Sequence, residues 1–424
     1  MTATPTEAMT ATPTEAMTAL LTLEGRADPY PIYRHMHTFG PVFSLTDVED
    51  VVVGYDESDA ILRHKNARVL DASGLDMLDA ALAARNPNPT NDSWRDHSST
   101  RRLSDSMLQT NAPHHSRMRR LTSGAFTARR VTALAPAIAR LTESMLDHIA
   151  DLAEHAPDVD FMDAFAFRLP IAVIGELMGI DETDQLRFRQ TVTDLTIALD
   201  LIYDTKQLIP ADAAMNTLVD YFEDLIDHRR AHPGDDLTSA LIAAHDTQGG
   251  LSHDELLGNL VLMLVAGFET TTNLLGNGLR LALDHPHHAQ QLRDDPDFAA
   301  PFVEETLRFD PPVHKTGRYI TEDIDLPTGT IHAGRMVHVM IAAANRDARR
   351  YPHPDTFDPT RTDTQPLSFG NGPHFCIGSV LARMEATIAL PALLRRFPAI
   401  ALAAEPTFRD RLILRGFDTL PVTV

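Results

Sequence analysis

A helical pattern that runs unbroken from Ser252 to the residue before Pro286 sets the scale of anything this chain can fold into. Ser252-His253-Asp254-Glu255 fits a capping box, in which the serine oxygen accepts from the Glu255 N–H and the glutamate reaches back to the cap. Pro286 marks the other end, because proline cannot continue the hydrogen-bond ladder. About 33 residues at roughly 1.5 Å each make a rod of roughly 50 Å, which must cross the whole molecule. Gly258, Gly267, Gly276 and Gly278 lie inside it, each costing about 1 kcal/mol relative to alanine. For three of them close helix packing is the expected reason. Gly267 differs: it stands in Ala266-Gly267-Phe268-Glu269-Thr270-Thr271, where an acid and a hydroxyl follow an apolar stretch in mid-helix. A threonine there bonds back to the i−4 carbonyl and bends the rod, as if something needed room at that point.

Around this rod the sequence reads mainly α with a small β-rich flank. Residues from Ala112 to His285 are almost all helical in pattern, whereas Val42, Phe43, Val51, Val52 and Val53 flank a polar turn, Asp47 to Asp50, as in a hairpin. Short β-like pieces return between Val313 and Val339, and a proline-rich segment runs from Tyr351 to Pro366. The opening MTATPTEA occurs twice in succession, so residues 1–20 read as a disordered tail and 21–424 as a single domain. A formal charge of −22 argues against a nucleic-acid partner. The longest apolar run, Leu260 to Phe268, is far short of the roughly 18–20 residues that span a bilayer. With one cysteine and no basic-then-apolar opening segment, the expectation is a soluble, cytoplasmic protein.

That one cysteine, Cys376, sits in Ser368-Phe369-Gly370-Asn371-Gly372-Pro373-His374-Phe375-Cys376-Ile377-Gly378-Ser379. A zinc site wants about four ligands in paired spacings, and only His374 is near. A cysteine nucleophile needs a histidine base brought by the fold, which 20 histidines leave open. An inert buried thiol in a glycine-rich turn is the plain alternative. The third chemistry is a thiolate on haem iron, which needs a sulfur presented from a loop, shielded and anionic. Gly370 and Gly372 would let the backbone pass beneath a flat macrocycle, Phe369 would cover the sulfur, and the helical run from Ile377 to Arg396 would lower the thiol pKa with its positive end.

Here the chain resembles the cytochrome P-450 superfamily of haem-thiolate monooxygenases, in its soluble bacterial form. The haem loop F-x-x-G-x-[R/H]-x-C-x-G appears as Phe369 to Gly378, and the long-helix motif [A/G]-G-x-[D/E]-T as Ala266 to Thr270. E-x-x-R appears as Glu305 to Arg308, and H-x-x-x-R as His115 to Arg119. The resemblance implies haem b between the long central helix and the loop bearing Cys376, the iron ligand, with Phe369, Gly378, Ala266 and Gly267 also at the cofactor. It assigns the haem propionates to His115, Arg119, Arg318 and His374, and a structural network bracing the loop to Glu305, Arg308 and Arg361. Thr270 and Glu269 are the implied proton relay.

The implied reaction activates O2 reductively and inserts one oxygen atom into a C–H bond or alkene. Electrons would come from a ferredoxin and its reductase, since no nucleotide-binding glycine motif follows a strand. The basic cluster Arg117, Arg120, Arg129 and Arg130 is the candidate docking face for an acidic ferredoxin. Met77, Leu78, Met107 and Leu108 in the long segment before His115 are candidate pocket residues, as are Leu262, Ala266, Val313, Ile413 and Leu414, with Arg101, Arg102 and Lys315 at the border. A macrolide or other polyketide of antibiotic biosynthesis is the expected substrate class. Oxidative C–C, C–O or C–N coupling on a peptide-, terpene- or aromatic-derived metabolite is the alternative, and a cysteine hydrolase or haem sensor a remote one. A monomer is expected.

Overall fold

The computed structural model describes residues 12–76, 93–185, 187–200, 202, 205–246 and 249–424. The chain forms two compact units assembled from interleaved segments. The first takes the chain up to Arg68, Gly276–Cys376 and Glu405–Leu420; the second takes Val69–Leu275, Ile377–Ala404 and Pro421–Val424.

The largest β structure of the first unit is a five-stranded sheet. Its hairpin, Val42–Thr46 with Glu49–Val52, is antiparallel, with Phe43 opposite Val51. Glu49–Val52 then pairs in parallel with Met336–Val339, which pairs antiparallel with Thr316–Ile320, and Ala67–Arg68 closes the far edge. Alternation puts Val52, Ile320, Val337 and Val339 on one buried layer with Ile61 and Leu62 of the helix Tyr55–Arg63 and with Leu367. Each such side chain contributes about 1.5–3 kcal/mol by leaving water. Leu367 immediately precedes the cysteine loop, so this layer anchors the loop's entry.

In the second unit the helix Ala135–Ala153 buries Ile138, Thr142, Leu146 and Ile149, a stripe at helical spacing, against the helices Ser379–Arg396 and Arg168–Met178. Arg168–Met178 ends at Gly179, whose φ of 72° suits glycine as a left-handed cap. The long helix spans His253–Asp284, 32 residues. Its capping box is present: the Glu255 N–H donates to Ser252 Oγ at 3.1 Å and the Ser252 N–H to Glu255 Oε2 at 2.7 Å. No helix among the described residues is long and apolar enough to cross a membrane.

The expected disordered tail needs correction from Thr12 onward. Pro13–Leu20 is a helix, capped by Thr12 and Glu15, that buries Ala16, Met17 and Leu20. The repeat's Thr-Pro-Thr-Glu is itself a capping box, and the residues just beyond the repeat, Met17 and Leu20, supply the apolar face.

Candidate active site

The cysteine loop is built within the first unit. Leu367–Phe369 makes a short 3-10 turn, Gly370 follows at φ 67°, and Gly372–His374 makes a second turn. The Cys376 N–H donates to the Phe369 carbonyl at 2.9 Å, which closes the loop on itself and leaves Cys376 and Phe369 half-buried. Both glycines answer to the geometry of the loop. A Cβ on Gly372 would lie 2.6 Å from the Leu62 carbonyl oxygen, so this residue is bare to let the loop pack on the helix Tyr55–Arg63, and its φ is 67°. A Cβ on Gly370 would find no protein atom nearer than 3.8 Å, and its positive φ favours glycine. His374 is half-buried. Gly378 precedes the helix Ser379–Arg396 with φ −82°, a conformation open to any residue.

Glu305 and Arg308 form the expected buried pair. Both side chains are wholly inaccessible, with Arg308 Nε 2.7 Å from Glu305 Oε2 and Nη2 2.6 Å from Oε1. Arg361 Nε reaches Oε1 at 3.3 Å, and the Asp358 N–H donates to the same oxygen at 2.8 Å. Arg308 also donates to the carbonyls of Asn345, Pro354 and Thr356. Asn345, which sequence reading missed, carries the network to the loop: its Nδ2 donates to Ser368 Oγ at 2.9 Å and its Oδ1 accepts from the Leu367 N–H at 2.8 Å. Ser368 Oγ in turn donates to the Leu307 carbonyl.

Arg318 lies in the Thr316–Ile320 strand opposite Val337 and is 5% exposed. Its hydrogen bonds run to Thr316 Oγ1 and the Gly317 carbonyl, and among the described residues no carboxylate pairs with it. Burial pulls its pKa down to about 10, the signature of a cation lacking a counter-charge. Nearby in the fold, Val313 and Leu414 form an antiparallel bridge, and the His314 N–H donates to the Ile413 carbonyl at 2.9 Å. Three pocket candidates distant in sequence are thus brought together.

In the second unit the Thr270 hydroxyl donates to the Ala266 carbonyl at 2.8 Å while the helix continues through it. Ala266 is exposed in an otherwise buried stretch, and Glu269 is 1% exposed. A Cβ on Gly267 would lie 3.2 Å from the end of the Ile174 side chain, so the helix packs closely there. His115 and Arg119 share a face of the helix His114–Ala125; burial first, then Arg119, lowers the His115 pKa and favours the neutral ring. Met107 and Leu262 are buried and Leu108 is 39% exposed; the Met107 N–H donates to Asn259 on the long helix. Met77 and Leu78 lie outside the described residues.

The basic cluster divides. Arg117 pairs with Glu255 and donates to the Gly250 carbonyl, and Arg130 pairs with Asp235 and donates to the Ala125 carbonyl. Arg120 and Arg129 are the exposed members. Arg102, a candidate for the pocket border, pairs with Asp254 in the first turn of the long helix, and Lys315 is buried.

Residues 61–410 match the family model described as Cytochrome P450. The chain is 38% identical over 407 residues to the cytochrome P450 monooxygenase PikC of Streptomyces venezuelae, covering 93% of this chain and 91% of that one. It is 40% identical over 314 residues to the 6-deoxyerythronolide B hydroxylase of Saccharopolyspora erythraea, covering 73% and 76%. Among solved structures, the cytochrome P450 PksS of the Bacillus subtilis bacillaene polyketide synthase superposes with a TM-score of 0.80 at 32% identity, covering 95% of this chain and 98% of that one.

Proposed function

The chain belongs to the cytochrome P450 family of haem-dependent monooxygenases, and on that premise we propose that it oxygenates a sizeable, largely apolar small molecule of the macrolide or polyketide class, drawing electrons from a ferredoxin. The observation that carries the reading is the Cys376 loop, a lone thiol on a turn closed by its own backbone and tied to a buried ion-pair network. The residues fit the cofactor. Cys376 would supply the thiolate, and Arg318, buried without an acid, suits a haem propionate. His115, Arg119 and His374 are the further propionate donors in this reading.

Haem held by these residues supplies reductive activation of O2, so that one oxygen atom enters the substrate and the other leaves as water. The protein's own part is proton handling and exclusion of water. The Thr270 hydroxyl, now bonded to Ala266, would turn to hold a proton toward the reacting side, and the buried Glu269 carboxyl would reload it. Val313, Ile413 and Leu414 would give an apolar lining. Similarity to a hydroxylase of 6-deoxyerythronolide B supports the substrate class and favours hydroxylation.

The test is the absorption spectrum of the purified protein, reduced and exposed to carbon monoxide. The wild type should show the red-shifted Soret band of thiolate-ligated haem, and Cys376→Ala should lack it. A colourless wild type after haem reconstitution, or a band that survives Cys376→Ala, overturns the assignment.

A further inference from the structure

The first unit contains a buried polar cluster that the monooxygenase reading leaves unused. Asp310 follows the helix Ala299–Phe309 and accepts from the Tyr30 hydroxyl and from Arg415 Nε, the latter at 3.0 Å. Arg415 is 7% exposed and spends its other donors on the carbonyls of Arg26, at 2.7 Å, and Ala27, at 3.0 Å. The Arg346 guanidinium lies 3.5 Å from the centre of the Tyr30 ring. The Tyr33 hydroxyl lies 2.9 Å from His314 Nδ1.

These residues sit in register with the candidate pocket wall. Arg415 donates its N–H to the Pro312 carbonyl and His314 donates to the Ile413 carbonyl, one on each side of the Val313–Leu414 bridge. Neighbouring side chains on extended backbone point to opposite faces. His314 and Arg415 therefore turn into the cluster while Val313 and Leu414 turn the other way. On the far side of the two wall segments, Arg415 bonds to Asp310 and to the carbonyls of residues 26 and 27.

We infer that the Asp310–Arg415 pair, with Tyr30, is a positioning device for substrate selection: it holds the segments carrying Val313 and Leu414 as one wall and ties that wall to the N-terminal segment 26–33. The inference rests on the haem-monooxygenase reading. Tyr30 and Arg415 act through the wall and touch no substrate.

The experiment uses full-length holoenzyme carrying Tyr30→Phe or Arg415→Lys. Tyr30→Phe removes one hydroxyl; Arg415→Lys keeps the charge but cannot serve three acceptors in a fixed fork. The reduced carbon monoxide spectrum reports the thiolate ligand, and Soret shifts give the affinities of imidazole and of the bulky azole econazole. Imidazole needs space only at the iron, whereas econazole must fit the walls. Both variants should keep the spectrum and the imidazole affinity and lose about tenfold in econazole affinity, or about 1.4 kcal/mol. If Arg415→Lys does not accumulate, Tyr30→Phe decides alone. Unchanged econazole affinity, or parallel losses for both ligands, overturns the inference and leaves the monooxygenase reading standing. A wild type without the thiolate band overturns that reading and the inference with it.

Discussion

Replacing Glu305 by glutamine tests how the cysteine loop is held. The substitution keeps the volume and removes the charge at a side chain with no solvent contact. Arg308, equally inaccessible, would retain the carbonyls of Asn345, Pro354 and Thr356 but lose its acid. The new amide NH2 would also point a donor at Arg308, whose Nε and Nη2 now each meet a carboxylate oxygen. Breaking one partner of a buried pair costs about 3–5 kcal/mol, because a desolvated charge is left behind. A domain's whole stability is about 5–15 kcal/mol. The loss is therefore about a fifth of the total or more, and about 4 kcal/mol is close to a thousandfold in the folding equilibrium.

The assay is a urea titration of the holoprotein, followed by far-ultraviolet dichroism and by the Soret band, since the midpoint falls in proportion to stability lost. Arg230→Gln is the control: its partner Asp227 lies 3.5 Å away and is 82% exposed, and such surface pairs contribute about 0–1 kcal/mol. Glu305→Gln should lower both midpoints several times further than Arg230→Gln. The Soret band should be lost at least as early as the helix signal, because Asn345 and Ser368 link this network to the loop. If the two variants unfold together, the network does not brace the loop and the reasoning fails.

Two further outcomes separate the roles assigned above. Thr270→Ala should retain the reduced carbon monoxide band and substrate-induced Soret shift while more of the donated electrons appear as hydrogen peroxide; unchanged coupling to product would show that another group delivers the proton. Charge reversal at Arg120 and Arg129 should slow reduction by a ferredoxin and flatten its salt dependence, since surface attraction is screened over about 8–10 Å at physiological ionic strength. Arg117→Glu should instead lower stability through Glu255, and equal effects on reduction from all three positions would refute the division of the cluster.

Elements whose determinants are local in sequence were legible. The long helix carries its cap in four residues and its terminator in one, and the hairpin reads from alternation on either side of a polar turn. The pair at Glu305 and Arg308 was legible because three residues on a helix make one turn. What escaped reading depends on contacts made across the chain. Asn345 stands in an alanine-rich stretch that nothing marks as a support for Ser368. The close approach of Gly372 to the Leu62 carbonyl, some 310 positions earlier, leaves no mark in the local sequence. The helix at Pro13–Leu20 was hidden by composition: Thr and Pro suggest a tail until Met17 and Leu20 find a buried face.

The same distinction governs how the arginines should be counted. A formal charge of −22 suggests that every basic side chain is a scarce surface resource. Many are not at the surface: Arg308, Arg318, Arg346 and Arg415 are each less than a tenth exposed, and Arg361 is nearly so. Arg117, Arg130 and Arg102 are half-buried in pairs with acids of the long helix or of residue 235. Charges neutralised inside the protein project little field into solvent, so an approaching partner meets a surface more one-sided than the sequence tally implies. An acidic electron donor docking on the proposed basic cluster would then depend on those of its cations that remain solvated. In that cluster these are Arg120 and Arg129, while Arg117 and Arg130 would act in folding through their acids.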